Sequence, residues 1–190
     1  MPNLRRMAKE IGKDHSLAQQ LWFSGIHEAR ILTSMIDDPN QVTGKQMDSW
    51  IEDFDSWDVC AQCCMNLFSK MSMAREKAIE WTKREKEFER RAGFVLMACL
   101  AWYDKESQDE NFLVFLPVIK QGANDNRNYV KKAVDWALRN IGKRNHVLNK
   151  KAIETARKIQ KIDSRSARWI AYDVIRELTS EALQKRLQRR

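Results

Sequence analysis

The chain has 190 residues, a formal net charge of +8, and only six glycines and three prolines. This length is enough for one domain with a sizeable core that needs neither disulfides nor a metal for stability. No segment reaches the ~20 uncharged apolar residues of a membrane span, and the first residues lack the apolar middle region of a secretory signal, so we expect a cytoplasmic protein that does not cross a membrane.

Helical periodicity recurs along the whole chain, with short polar breaks and no alternation typical of strands. Strong helix formers dominate the long segments, and capping residues such as Thr43 precede several of them. The sequence therefore predicts an all-α protein with about twelve short helices. These helices are predicted at residues 3–11, 15–24, 26–37, 43–54, 57–70, 73–83, 86–104, 109–122, 126–142, 146–160, 164–177 and 180–188.

Tryptophans recur at intervals close to the length of a helical-hairpin repeat. Trp22 and Trp57 are 35 residues apart, Trp102 and Trp136 are 34 apart, and Trp136 and Trp169 are 33 apart. Because helical repeats of this length stack side by side, the spacing favours an α-solenoid of antiparallel helix pairs over a globular bundle.

The helix predicted at 57–70 carries three of the four cysteines, Cys60, Cys63 and Cys64, on its apolar stripe. A structural zinc site needs four ligands, and none of the three histidines is near these cysteines in sequence. The spacing therefore favours small buried hydrophobic residues over a zinc site or a disulfide framework.

The start of the same helix holds Trp57 and, one turn later, Ala61, both at the edge of the apolar stripe. Asp58 lies farther round the helix. An acidic residue in the first turn interacts favourably with the helix dipole, so these residues alone indicate a helix start and require no catalytic role.

The helix predicted at 86–104 is apolar nearly all round from Gly93 to Trp102, so we expect it to run through the interior. Arg91 lies near the edge of its apolar face. A partly buried guanidinium should be paired, and Glu87, one turn earlier, is the ordinary structural partner. The alternative is that Arg91 grips a phosphate.

The helix predicted at 126–142 has a single buried stripe, formed by Val130, Ala133, Val134, Ala137, Leu138 and Ile141. Trp136 lies about 130° from the centre of that stripe, beside Lys132, Arg139 and Lys143. An exposed indole among cations suits a nucleic acid, because the cations bind phosphates while the ring packs on a sugar or base. The alternative is that Trp136 packs on a neighbouring repeat or under the aliphatic stems of Lys132 and Arg139.

Charge is unevenly distributed along the chain. Residues 1–119 hold 15 Lys and Arg against 19 Asp and Glu, a net charge of −4, whereas residues 120–190 hold 19 against 7, a net charge of +12. This asymmetry indicates a polyanionic partner for the second part of the chain, although a basic solvated surface without a dedicated ligand would carry the same charges.

Four segments together resemble the AlkD-like DNA alkylation repair family, over roughly residues 4–149. They are Leu21-Trp22 through Glu28-Ala29-Arg30, Ser56-Trp57-Asp58, Phe88-Glu89-Arg90-Arg91-Ala92 and Ala133-Val134-Asp135-Trp136-Ala137-Leu138-Arg139. The resemblance implies a HEAT-like helical-repeat fold without a metal. We expect one such domain over residues 1–190, monomeric and without a cofactor. Members of that family include DNA glycosylases that excise N3- and N7-alkylated purines.

The resemblance also implies duplex DNA as the partner, in particular alkylated DNA, held in a basic concave groove. Trp57 and Trp136 would flank the damaged nucleotide, and Arg91 would grip the DNA backbone. Arg139 would add a phosphate contact, and Lys132 and Lys143 complete the DNA-binding residues expected on the same helix face.

The sequence departs from the family pattern at Ala61, because active members carry an Asp four residues after the tryptophan that matches Trp57. A methyl group cannot stabilise the oxocarbenium-like sugar that forms as an alkylated purine leaves. Asp58 is the nearest carboxylate, but on a helix it points about 60° away from position 61. A non-catalytic relative that binds DNA structures and a helical-repeat protein–protein scaffold are therefore the alternatives to a DNA glycosylase.

Overall fold

A computed structural model describes residues 1–189. It contains thirteen α-helices and one short 3-10 helix in the described part of the chain, which confirms the all-α prediction. The helices are α1 Pro2–Ile11, α2 His15–Phe23, α3 His27–Ile36, α4 Gly44–Glu52, α5 Trp57–Asn66, α6 Ala74–Trp81, α7 Glu87–Tyr103, α8 Glu110–Leu113, α9 Phe115–Gly122, α10 Asn128–Gly142, α11 His146–Gln160, α12 Arg165–Leu178 and α13 Glu181–Gln188.

The chain divides into two compact units, Met1–Ala74 and Arg75–Arg190, and each is described by itself. In the first unit, α3 packs against α1, α2 and α5. Its core includes the stacked indoles of Trp22 and Trp50, whose ring centroids are 4.1 Å apart and whose planes differ by 4°. The Trp22 Nε1–H donates a 2.8 Å hydrogen bond to Asp53, so the buried ring keeps its polar atom satisfied.

In the second unit, α7 packs on α10 and α10 packs on α12, while α11 packs on α9, α10 and α12. Two pairs of helices that are alternate in sequence, α9 with α11 and α10 with α12, are therefore neighbours in space, as expected for stacked helix pairs. Residues 92–101 of α7 are all buried, which confirms the predicted interior helix except at its last residue, because Trp102 is 53% exposed. These contacts cover one side of α10 and of α12 and leave residues on the other side of each helix exposed.

The four cysteines are buried thiols, as the sequence predicts for small hydrophobic side chains. Burial raises the pKa of the Cys63 thiol well above its ordinary value. Within residues 1–189, no group of three or more His, Cys, Asp or Glu side chains is arranged to hold a metal ion. None of the described helices is both long and apolar enough to cross a membrane.

Candidate nucleic-acid interface

Trp57 is the first residue of α5, in the first unit. Its large aromatic side chain is 54% exposed. The opposite side of α5 is anchored by Val59, Cys60 and Cys63, all fully buried. The helix is thus fixed through its apolar stripe while Trp57 remains available for a ligand. This placement agrees with the position at the edge of the stripe that the sequence predicts.

Asp58 follows Trp57 and is held by a partner from α3. Its carboxylate accepts a 3.0 Å hydrogen bond from His27 Nε2, and its side chain remains 33% exposed. Burial raises the pKa of Asp58, but hydrogen bonds from His27 and Ser56 lower it more, so the pKa lies below its ordinary value. Asp58 is therefore ionised at neutral pH and adjacent to an exposed indole.

Ala61 lies one turn after Trp57 and is only 7% exposed. Its methyl group offers no charge and no hydrogen bond to a ligand. The position at which the resemblance implies a catalytic carboxylate is therefore apolar and nearly covered by its own unit.

Arg91 on α7 is paired differently from the sequence-based prediction. Only 6% of the residue is exposed, and its Nη1–H donates a 2.6 Å hydrogen bond to the Tyr129 carbonyl. Glu87 accepts a 3.0 Å hydrogen bond from the Tyr129 N–H instead of pairing with Arg91. The described residues thus show no Glu87–Arg91 ion pair, because both side chains bind the backbone at the start of α10.

The face of α10 opposite its buried stripe is less exposed to solvent than the helical periodicity of the sequence predicts. Its six stripe residues are fully buried, as expected, and Lys132 is exposed. Trp136, Arg139 and Lys143 are only partly exposed. Trp136 is therefore partly covered, a state between the two alternatives that the sequence leaves open.

Arg139 lies in a network of acidic side chains from its own helix and from α12. Its guanidinium is 2.8 Å from Asp135, 3.7 Å from Asp173 and 2.5 Å from Glu177. Lys143 also pairs with Glu177. These two cations are therefore already matched by protein carboxylates, and a DNA phosphate would have to compete for them.

The structure exposes a further set of basic and aromatic residues that sequence reasoning missed, on the outer face of α12. They are Arg165, Arg168, Trp169, Tyr172 and Arg176. Their spacing of three and four residues was a usable signal, because it places them all on one side of a helix.

The candidate residues fall into two groups. Trp57, Asp58 and Ala61 belong to the first unit, and Arg91 and the α10 residues belong to the second. The alignment of the two groups along one groove stays a prediction.

Comparisons with known proteins identify related sequences and folds. A profile of the family described as DNA alkylation repair enzyme matches residues 1–176. No protein sequence with a curated description matches significantly. One solved structure represents a family of proteins related to the HEAT-like repeat DNA glycosylases with affinity for branched DNA structures. It is 19% identical, with a TM-score of 0.72, and the match covers 93% of this chain and 80% of that one.

A designed armadillo repeat protein in complex with a (KR)4 peptide is 14% identical, with a TM-score of 0.45 over 97% of this chain and 88% of that chain. The match to the glycosylase-related structure confirms the HEAT-like helical-repeat fold.

Proposed function

Because the chain belongs to the DNA alkylation repair enzyme family, we propose that it binds duplex DNA, with a preference for DNA containing N3- or N7-alkylated purines. Its own excision of the damaged base is slow, since Ala61 supplies no carboxylate at the position implied by the family resemblance. In this proposal the chain is a relative of the DNA glycosylases that binds alkylated DNA but excises the damaged base slowly.

The observation that carries this proposal is the exposed Trp57 beside an ionised Asp58 and a buried Ala61. Alkylation gives the purine a positive charge, and the face of an indole attracts such a cation. Asp58 adds negative charge close to the ring. This arrangement favours a cationic lesion even without the carboxylate that would stabilise the developing sugar cation.

The charge of the second unit supports a DNA partner. Residues 75–190 hold 27 Lys and Arg against 16 Asp and Glu, whereas residues 1–74 hold 7 against 10. Lys132 on α10 is exposed and forms no ion pair with any described residue, so it is available for a phosphate. The affinity of a structural relative for branched DNA is in keeping with such a partner.

Excision and binding can be separated by one substitution, Ala61→Asp. We expect the unmodified chain to bind duplex DNA containing N7-methylguanine while releasing little free base. A carboxylate at position 61 should raise base release on the order of 100-fold, as expected for one preorganised electrostatic group. The measurements are fluorescence anisotropy for binding and chromatography of the released base.

Ala61→Asn is the matched control, because it has the size of Asp without the charge and should leave base release unchanged. If the unmodified chain already releases base rapidly and Asp58→Asn abolishes release, Asp58 is the catalytic carboxylate and the proposed loss of chemistry is wrong. If the chain shows no affinity for duplex DNA at ordinary salt, the protein–protein scaffold replaces the DNA-binding proposal.

A further inference from the structure

The outer face of α12 combines exposed cations with exposed aromatic rings. We call this face the α12 stripe, and it consists of Arg165, Arg168, Trp169, Tyr172 and Arg176. At about 100° per residue, all five fall within an arc of about 100° and extend over about 16 Å of the helix axis. The stripe is therefore one continuous surface.

The two rings of the α12 stripe are not needed for the core. Trp169 is 39% exposed and Tyr172 is 64% exposed. The helix is anchored on its other side by Ile170, Ala171 and Val174, which are fully buried. Two neighbouring large aromatic residues thus remain at the surface of a helix that already has a complete apolar face.

Each ring has a cation beside it. The Lys131 ammonium from α10 lies 4.8 Å from the Trp169 ring centroid, and the Arg176 guanidinium lies 5.5 Å from the Tyr172 ring centroid. These cations hold the rings in place and put positive charge next to any group that stacks on them.

The arginines at the start of the α12 stripe are accessible to an anion. Arg165 forms no ion pair with any described residue, and Arg168 pairs only with the fully exposed Asp163, at 2.9 Å. Exposed ion pairs of this kind are weak and can exchange for a phosphate. Both arginines and Lys131 also line a cleft of about 660 Å³ at this end of α12.

We propose that the α12 stripe binds an unpaired DNA strand next to the duplex, with bases stacked on Trp169 and Tyr172 and phosphates on Arg165, Arg168 and Lys131. The DNA partner rests on the proposed function. Stacking on an exposed ring requires a base whose own face is free, which a continuous duplex does not offer. Residues 75–190 carry 27 Lys and Arg against 16 Asp and Glu, and this excess of positive charge favours a polyanion over a protein partner.

The test compares two labelled DNAs, a blunt duplex and the same duplex with a single-stranded extension. We expect the full chain to bind the extended DNA more tightly. The double variant Trp169→Ala and Tyr172→Ala removes both stacking rings and should weaken binding of the extended DNA by at least roughly 5-fold, the lower limit for losing a single stacked base, and leave binding of the blunt duplex nearly unchanged. Trp169→Phe and Tyr172→Phe keep an aromatic face and should restore most of the preference.

Two substitutions serve as matched controls. Phe23→Ala removes a 78% exposed aromatic ring from the first unit, and Arg157→Ala removes an exposed cation from α11. Neither should change the ratio of the two affinities, and circular dichroism should show that every variant is folded.

The α12 proposal is overturned if the chain binds both DNAs equally, or if the alanine variants weaken both to the same extent. In either case binding of the blunt duplex still supports the proposed function. If neither DNA is bound, the proposed function fails together with the α12 proposal. A preference for the extension that the alanine variants abolish supports the α12 proposal, whatever the affinity for the blunt duplex.

Discussion

Asp135 on α10 is an unusually buried carboxyl group, with only 3% of its side chain exposed. Burial raises its pKa to about 7, and although Arg139 opposes that shift, the carboxylates of Asp173 and Glu177 reinforce it. The folded protein therefore holds a proton on Asp135 up to about neutral pH, whereas the unfolded chain releases it near the ordinary value of 3.8.

This difference makes stability depend on pH. Because the folded-state pKa is raised, the contribution of Asp135 is fully present below pH 3.8 and is lost as the pH rises to about 7. Between about pH 5.5 and about pH 8 the loss is about 2 kcal/mol of unfolding free energy. Asp135→Asn should remove that part of the pH dependence, as measured by urea unfolding at both pH values.

Asp163→Asn is the control for that measurement, because the Asp163 side chain is fully exposed. It should leave the pH dependence of the unmodified chain intact. An Asp135→Asn variant whose unfolding free energy changes with pH as much as that of the unmodified chain would show that Asp135 is not the group responsible.

At the scale of helices, α6 and α7 approach each other at Gly93. A Cβ atom added there would lie 2.7 Å from both the Ala78 carbonyl oxygen and the Thr82 backbone nitrogen. Backbone atoms cannot swing aside as the end of a flexible side chain can. The absence of a side chain at Gly93 is therefore a packing requirement of this helix pair.

Gly93→Ala should lower the unfolding free energy by about 1–3 kcal/mol, the usual cost of overpacking a core. The sign of this change in unfolding free energy is informative. Where there is room for the methyl group, Ala is favoured over Gly in a helix interior by up to about 1 kcal/mol, so the substitution would then raise the unfolding free energy. Thermal or urea unfolding measures the change. A stability equal to or above that of the unmodified chain would mean that α6 and α7 are not in such close contact.

Most of the helices could be predicted from the sequence, because apolar periodicity and capping are local signals. The two largest differences between the predicted and the observed helix bounds each have a local cause. The predicted helix 109–122 divides into α8 and α9, since the ring of Pro117 would clash with the Leu113 carbonyl in a continuous helix. The predicted helix 57–70 ends as an α-helix at Asn66, because Leu67 adopts φ −122° and ψ −65°.

The candidate site was less predictable, because its residues depend on neighbours that are distant in sequence. Periodicity placed Trp57 and Ala61 alike at the edge of the apolar stripe of α5, whereas the structure exposes Trp57 and buries Ala61. Periodicity could not show that Asp173 and Glu177 of α12 would meet Arg139, since these residues are more than thirty positions apart. For the same reason, the sequence could not predict the hydrogen bond from Arg91 to the Tyr129 carbonyl.

At the scale of the whole molecule, charge is concentrated in one unit. Residues 75–190 carry a net charge of +11, and residues 1–74 carry −3. A DNA-binding surface should therefore draw its phosphate contacts chiefly from the second unit. A polyanion bound in this way releases condensed counterions, which makes its affinity strongly dependent on salt.

For a footprint of about five phosphates, the logarithm of the DNA-binding constant should fall with the logarithm of salt concentration with a slope of about −4.5. Removing one phosphate contact by Lys132→Ala should weaken binding to all sequences and make the slope about 0.9 less steep. Lys45→Ala removes an exposed lysine from the acidic first unit and should leave the slope unchanged. Anisotropy titrations across salt concentrations measure all three values. A salt slope near zero for the unmodified chain would contradict phosphate binding. A slope that changes equally in Lys132→Ala and Lys45→Ala would contradict a phosphate contact by Lys132 of α10, because each phosphate contact contributes its own increment to the slope.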